Sequence, residues 1–120
     1  MITLFQVALG GAIGAMLRFG VVSGVARFAG QGFPLGTLSV NVIGSLLMGV
    51  AAVALGPRLS PFVMTGILGG FTTFSAFSLD AMRLMDDGRM GAALLYMLLS
   101  VSLSVGALWI GMLFAKALNG

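Results

Sequence analysis

The sequence predicts an all-α membrane protein of four transmembrane helices, and three observations predict it. Hydrophobic residues make up 59% of the chain and charged residues 8%, far from the composition of a water-soluble domain. The segments Met1 to Leu17, Phe28 to Pro57, Leu59 to Leu79 and Met90 to Ala115 carry no charge. A bilayer core of ~30 Å takes about 20 apolar residues per helix, so these segments supply four spans. The connections are short: AGQGF ahead of Pro34, GPRLS ahead of Pro61, and MDDGR from Met85 to Arg89. Residues 1–120 are therefore expected to form one transmembrane domain, with no soluble catalytic part.

The first helix is expected from Leu4 to Phe28. It lacks a basic leading region and a small-residue cleavage site before Arg18, so it is read as a retained span rather than a signal peptide. Gly10, Gly14, Gly20 and Gly24, with Ala15 among them, suit close helix contact. Arg18 is the one strong charge well inside this span. Two roles fit it: snorkelling to an interface, or supplying positive potential at the mouth of an anion route.

The second helix is expected from Pro34 to Leu55 and places Thr37, Asn41 and Ser45 on one stripe, four residues apart. An amide in hydrocarbon must find partners for its donors and acceptor, which makes Asn41 the stronger signal of the three. The fourth helix, expected from Met90 to Lys116, repeats the spacing with Tyr96, Ser100 and Ser104. Such stripes serve either as glue between helices or as the lining of a hydrated path.

The third helix, expected from Pro61 to Leu84, contains the stretch GGFTTFSAFSLD from Gly69 to Asp80. Gly69 and Gly70 are poor helix formers, and the hydroxyls of Thr72 and Thr73 compete for backbone partners. The helix is expected to break near its middle. Unwound backbone is tolerated at membrane depth only when it is buried in protein or lines a cavity, where freed carbonyls can bind a cation. Phe71, Phe74 and Phe77 follow at intervals of three. Spacing leaves two readings of these rings, core packing or ring edges turned toward an anion.

Charge narrows the function classes. The six basic residues exceed the three acidic ones but stand singly, so no nucleic-acid surface is expected. His, Cys and Glu are absent, which leaves no acid-base, nucleophilic or metal-cluster chemistry for an enzyme. GGFTTFS lacks the lysine of a phosphate loop. An exporter of cationic compounds, the main alternative, needs a titrating group at membrane depth, and the small multidrug exporters carry a glutamate in their first span; a noncatalytic scaffold is the other rival. Arg58 and Lys116 on one side of the membrane face Arg27, Arg83 and Arg89 on the other. So weak a bias lets the chain insert both ways round, which favours an antiparallel homodimer.

The motifs GGAIGAMLRF, PLGTLSVNVIG and GGFTTFSAFS, in that order, resemble those of the Fluc (CrcB) family of bacterial fluoride channels. The resemblance covers nearly the whole chain. It implies a dual-topology antiparallel homodimer in the bacterial inner membrane, with two fluoride pores and a structural sodium ion at its centre. It further implies passive release of fluoride that entered the cell as HF. Carried over by motif, the carbonyls of Gly69 and Thr72 hold the sodium, Phe74 and Phe77 are the pore phenylalanines, and Asn41 is the helix-2 asparagine. Tyr96, Ser100 and Ser104 match the family's polar track, and Arg18 falls near an aqueous vestibule. Thr73 and Ser75 are expected to add hydroxyl donors to the pore. The chain departs from the family pattern at Phe19, at Ala76, where threonine is common, and at Asp80, where glutamate is usual.

Overall fold

A computed structural model describes residues 2–30 and 32–119. Met1, Gln31 in the AGQGF connection, and Gly120 lie outside the described residues. The first helix runs Ile2–Ala29, the second Leu35–Ala54, the third span Pro61–Asp86 and the last helix Met90–Asn119. Each of these four is long and apolar enough to cross a bilayer. The chain is thus a multi-pass membrane protein.

The helix ends follow local chemistry. The first helix stops at Gly30, whose φ of 79° is left-handed and whose N–H closes onto the Ala26 carbonyl at 3.0 Å. The third span stops at Gly88, φ 77°. There Gly88 N–H bonds the Met85 carbonyl at 3.0 Å and Arg89 N–H bonds the Leu84 carbonyl at 2.8 Å, a Schellman closure. MDDGR therefore makes a tight reversal into the last helix.

The third span is built from pieces. Pro61–Leu68 is wound as a π-helix, Gly69–Phe71 is α-helical, and α-helix resumes over Phe74–Asp86. Between them Thr72 (φ −86°, ψ 157°) and Thr73 (φ −151°, ψ 123°) are extended. Gly69, on which the expectation of unwinding partly rested, keeps helical dihedrals of −62° and −40°. Gly70 serves packing instead: a Cβ there would stand 2.6 Å from the Gly11 carbonyl oxygen of the first helix.

Glycine crossings hold the bundle together. The most extensive pairing joins the second and last helices, where a Cβ on Gly49 would collide with the Leu108 carbonyl and one on Gly111 with that of Leu46. The first helix lies on Pro61–Leu68, and its Gly10 and Gly14 meet the Phe62 and Ile67 carbonyls in the same way. Gly20 and Gly24, expected to pack likewise, face open space within the single chain. One cluster of core side chains forms where Leu38, Ala81, Leu84, Ala93 and Tyr96 meet, and Val40, Leu68 and Phe71 are buried besides. Elsewhere large apolar side chains such as Leu98, Trp109 and Phe114 point outward, as a hydrocarbon solvent permits.

Candidate functional site

The site begins with the two extended threonines, because extended backbone inside a helical span must find new hydrogen-bond partners. Asn41, on the second helix, meets Thr73 with both halves of its amide. Its Oδ1 accepts the Thr73 N–H at 2.7 Å and its Nδ2 donates to the Thr73 carbonyl at 2.9 Å. Thr73 then caps the resumed helix, its Oγ1 accepting the Ala76 N–H at 3.1 Å. Thr72 Oγ1 bonds back to the Leu68 carbonyl at 3.0 Å. Gly44, three residues past Asn41, leaves the space that the Thr72 methyl fills; a Cβ there would collide with Thr72 Cγ2.

Next to this corner lies a groove of about 330 Å³. Asn41, Thr72 and Thr73 border it on one side, Ser100 and Ser104 on the other, with Phe74 and Phe77 at the wall. Ser45 and Met48 of the second helix also reach it, and none of its lining side chains is charged. The Oγ atoms of Ser100 and Ser104 are buried without a hydrogen-bond partner among the described residues. Unpaired buried hydroxyls at bilayer depth are costly, so a polar occupant of the groove has donors ready for it.

The aromatic side chains form a connected row. Phe74 and Phe77 have ring centroids 5.4 Å apart with planes inclined at 45°, and Phe77 lies 5.2 Å from Tyr96 at 41°. Phe33 meets Tyr96 edge to face, 5.5 Å away at 88°. Tyr96 is fully buried, and its hydroxyl donates to Asp80 Oδ2 at 3.3 Å. Asp80 lines a second cavity of about 370 Å³ at the end of the bundle, together with Thr37, Arg83 and Arg89. Arg89 also donates through Nη1 to the Gly32 carbonyl. The row of rings therefore stands between the neutral groove and a charged vestibule.

Not every candidate residue joins the groove. Ser75 is exposed, with its Oγ 3.4 Å from Thr73 Oγ1. Gly69 is exposed and does not border the groove. Arg18, on the first helix, is half-buried with its Nε unpaired among the described residues, and it borders neither cavity. Two contributors escaped the sequence reading. Phe33 carries no periodic signal because it lies in a connection, and Gly44 reads as ordinary helix glycine until Thr72 is placed beside it.

Comparison with known proteins gives one consistent result. The family described as "CrcB-like protein, Camphor Resistance (CrcB)" matches residues 5–112. A protein of Ruegeria sp. named fluoride-specific ion channel FluC is 54% identical, covering 97% of this chain and 96% of its own length. A Cereibacter sphaeroides protein of the same name is 56% identical, covering 92% of this chain and 91% of its own. The Paracoccus denitrificans protein of that name is 51% identical, with 97% and 96% covered.

Proposed function

The chain belongs to the CrcB family, and from this we infer that it is a fluoride-specific ion channel that lets fluoride leave the cytoplasm passively across the bacterial inner membrane. The observation that carries the reading is the pair of unpartnered, buried hydroxyls of Ser100 and Ser104 in an uncharged groove walled by Phe74 and Phe77.

Fluoride is small and strongly hydrated, so a selective path replaces its water with donors in a space too narrow for a larger hydrated anion. Ser100 and Ser104 supply free hydroxyls, Thr73 borders the same groove, and the Ser75 hydroxyl lies 3.4 Å from that of Thr73. Asn41 has one N–H engaged with Thr73, which leaves the second for an anion. The ring edges of Phe74 and Phe77 carry partial positive charge and complete the wall, and Tyr96 stands at the vestibule end. No fixed positive charge lies in the groove, so a bound anion can leave it. Arg83 and Arg89 line the cavity beyond beside Asp80 and Asp87, so that cavity carries no net formal charge and attracts an anion only locally, at the guanidinium groups.

The working unit in this reading is an antiparallel homodimer with two pores. Phe74 is 78% exposed in the single chain, and Gly69 and Ser75 beside it are also open. A second copy related by a twofold axis would cover these residues and close the groove. The structural sodium ion belongs at the centre of that dimer. The carbonyls of Gly69 and Thr72 are its candidate ligands, because hard neutral oxygens from interrupted helices suit a hard monovalent cation. When bound, the ion supplies positive charge and ties the two chains together.

The experiment that tests the function is anion efflux from liposomes containing the purified protein, with fluoride and chloride compared under the same potassium shunt. Rapid fluoride loss without chloride loss is expected.

A further inference from the structure

In a continuous helix each carbonyl is closed by the N–H four residues on. At the threonine corner two of these donors go elsewhere. The Thr73 N–H, which would close the Gly69 carbonyl, bonds Asn41 Oδ1 at 2.7 Å. The Ala76 N–H, which would close the Thr72 carbonyl, bonds Thr73 Oγ1 at 3.1 Å. Asn41 Nδ2 holds the same residue through its carbonyl, in the next peptide unit. Thr73 is 9% exposed, so water does not readily substitute for either bond. The two carbonyls released in this way are those named above as sodium ligands.

We propose that Asn41 and Thr73 are positioning residues for the cation site: by capturing two backbone N–H groups they keep the Gly69 and Thr72 carbonyls free to bind the ion. The inference rests on the sodium reading above and assigns a cause to it. Neither side chain touches the cation; each acts through the carbonyl whose donor it removes. Asn41 thereby belongs to both sites: its Oδ1 and one N–H hold the Thr73 backbone, and its second N–H is left for the groove that the residue lines. Occupancy by the cation and the shape of the anion groove are coupled through one side chain.

Thermal unfolding of the purified protein in detergent, titrated with sodium chloride against N-methylglucamine chloride, tests the proposal without measuring transport. Ligand binding to the folded state raises the melting temperature, so the wild type gains stability as sodium is added. Asn41→Leu and Thr73→Ala are expected to raise the sodium concentration at half-effect by about tenfold or more, the scale of one lost buried hydrogen bond. Thr73→Ser, which returns the hydroxyl, is expected to restore the wild-type value. Should Asn41→Leu fail to fold, the Thr73→Ala and Thr73→Ser pair decides, since alanine and serine both fit the site. A sodium response of wild-type strength and midpoint in Thr73→Ala overturns the inference and leaves the sodium reading intact. A wild type indifferent to sodium removes that reading and the inference with it.

Discussion

Asn41 and Thr73 show how one residue pair can organise a site that the sequence presents as a polar stripe on one helix and a break in another. The spacing of Thr37, Asn41 and Ser45 marked a polar face on the second helix, and an amide in hydrocarbon required partners. That the partner is the backbone of a single residue in another span depends on tertiary geometry, which no spacing records. The phenylalanines were legible only as alternatives. In the structure Phe77 packs between Phe74 and Tyr96, whereas Phe74 stands exposed at the groove's open side. Phe74→Ile and Phe77→Ile are each expected to slow fluoride flux by about tenfold, equivalent to ~1.4 kcal/mol at the barrier, while the protein elutes at the same volume as the wild type. Wild-type flux in both variants, measured with a fluoride electrode, would return the rings to a packing role. Asp80 is another residue whose part emerges from contact rather than pattern. Its position near the end of a span was plain in the sequence, but its acceptance of the Tyr96 hydroxyl was not.

At the scale of elements, four helices and their order were readable because charge-free segments of about 20 residues leave few options in a bilayer. The first, third and last spans extend past their expected ends, to Ala29, Asp86 and Asn119, whereas the second helix, Leu35–Ala54, falls one residue short at each end. Polar and charged residues such as Asp86 continue a helix into the interface without penalty, so hydropathy marks the span and not the cap. The glycines divide by what their neighbours are. Gly49 and Gly111 allow the second and last helices to touch through backbone atoms, and an added methyl there forces the pair apart. Gly49→Ala and Gly111→Ala are expected to destabilise the protein by about 1–3 kcal/mol. Gly91→Ala, where a Cβ meets nothing within 4 Å, is expected to stay within ~0.5 kcal/mol of wild type. Melting curves in detergent separate the two groups, and equal loss in all three would refute the crossing. The π-wound turn Pro61–Leu68 had no sequence signal beyond its leading proline. It accompanies a close crossing in which Gly66 lies against Gly10.

The whole molecule is a bundle measuring 47 × 32 × 23 Å, and its uncharged groove, largely apolar with a few hydroxyl and amide groups, opens on one face. Its membrane character was legible from composition, and its family from three motifs; how the groove is completed was not, because that depends on surfaces one chain leaves uncovered. The near balance of Arg58 and Lys116 against Arg27, Arg83 and Arg89 predicts insertion in both orientations. The chain has no cysteine, so single cysteines at Gly56 or Asp87, both exposed in connections, report topology cleanly. A thiol reagent that does not cross membranes is expected to label a fraction of each variant on intact cells. Complete labelling of one and none of the other would contradict dual topology. Selective conduction of fluoride is read without intermediaries by efflux from liposomes. With the purified protein in sodium-containing buffer and a potassium shunt added, fluoride is expected to leave rapidly while chloride-loaded liposomes keep their anion; retention of fluoride, or equal loss of both anions, would contradict the account.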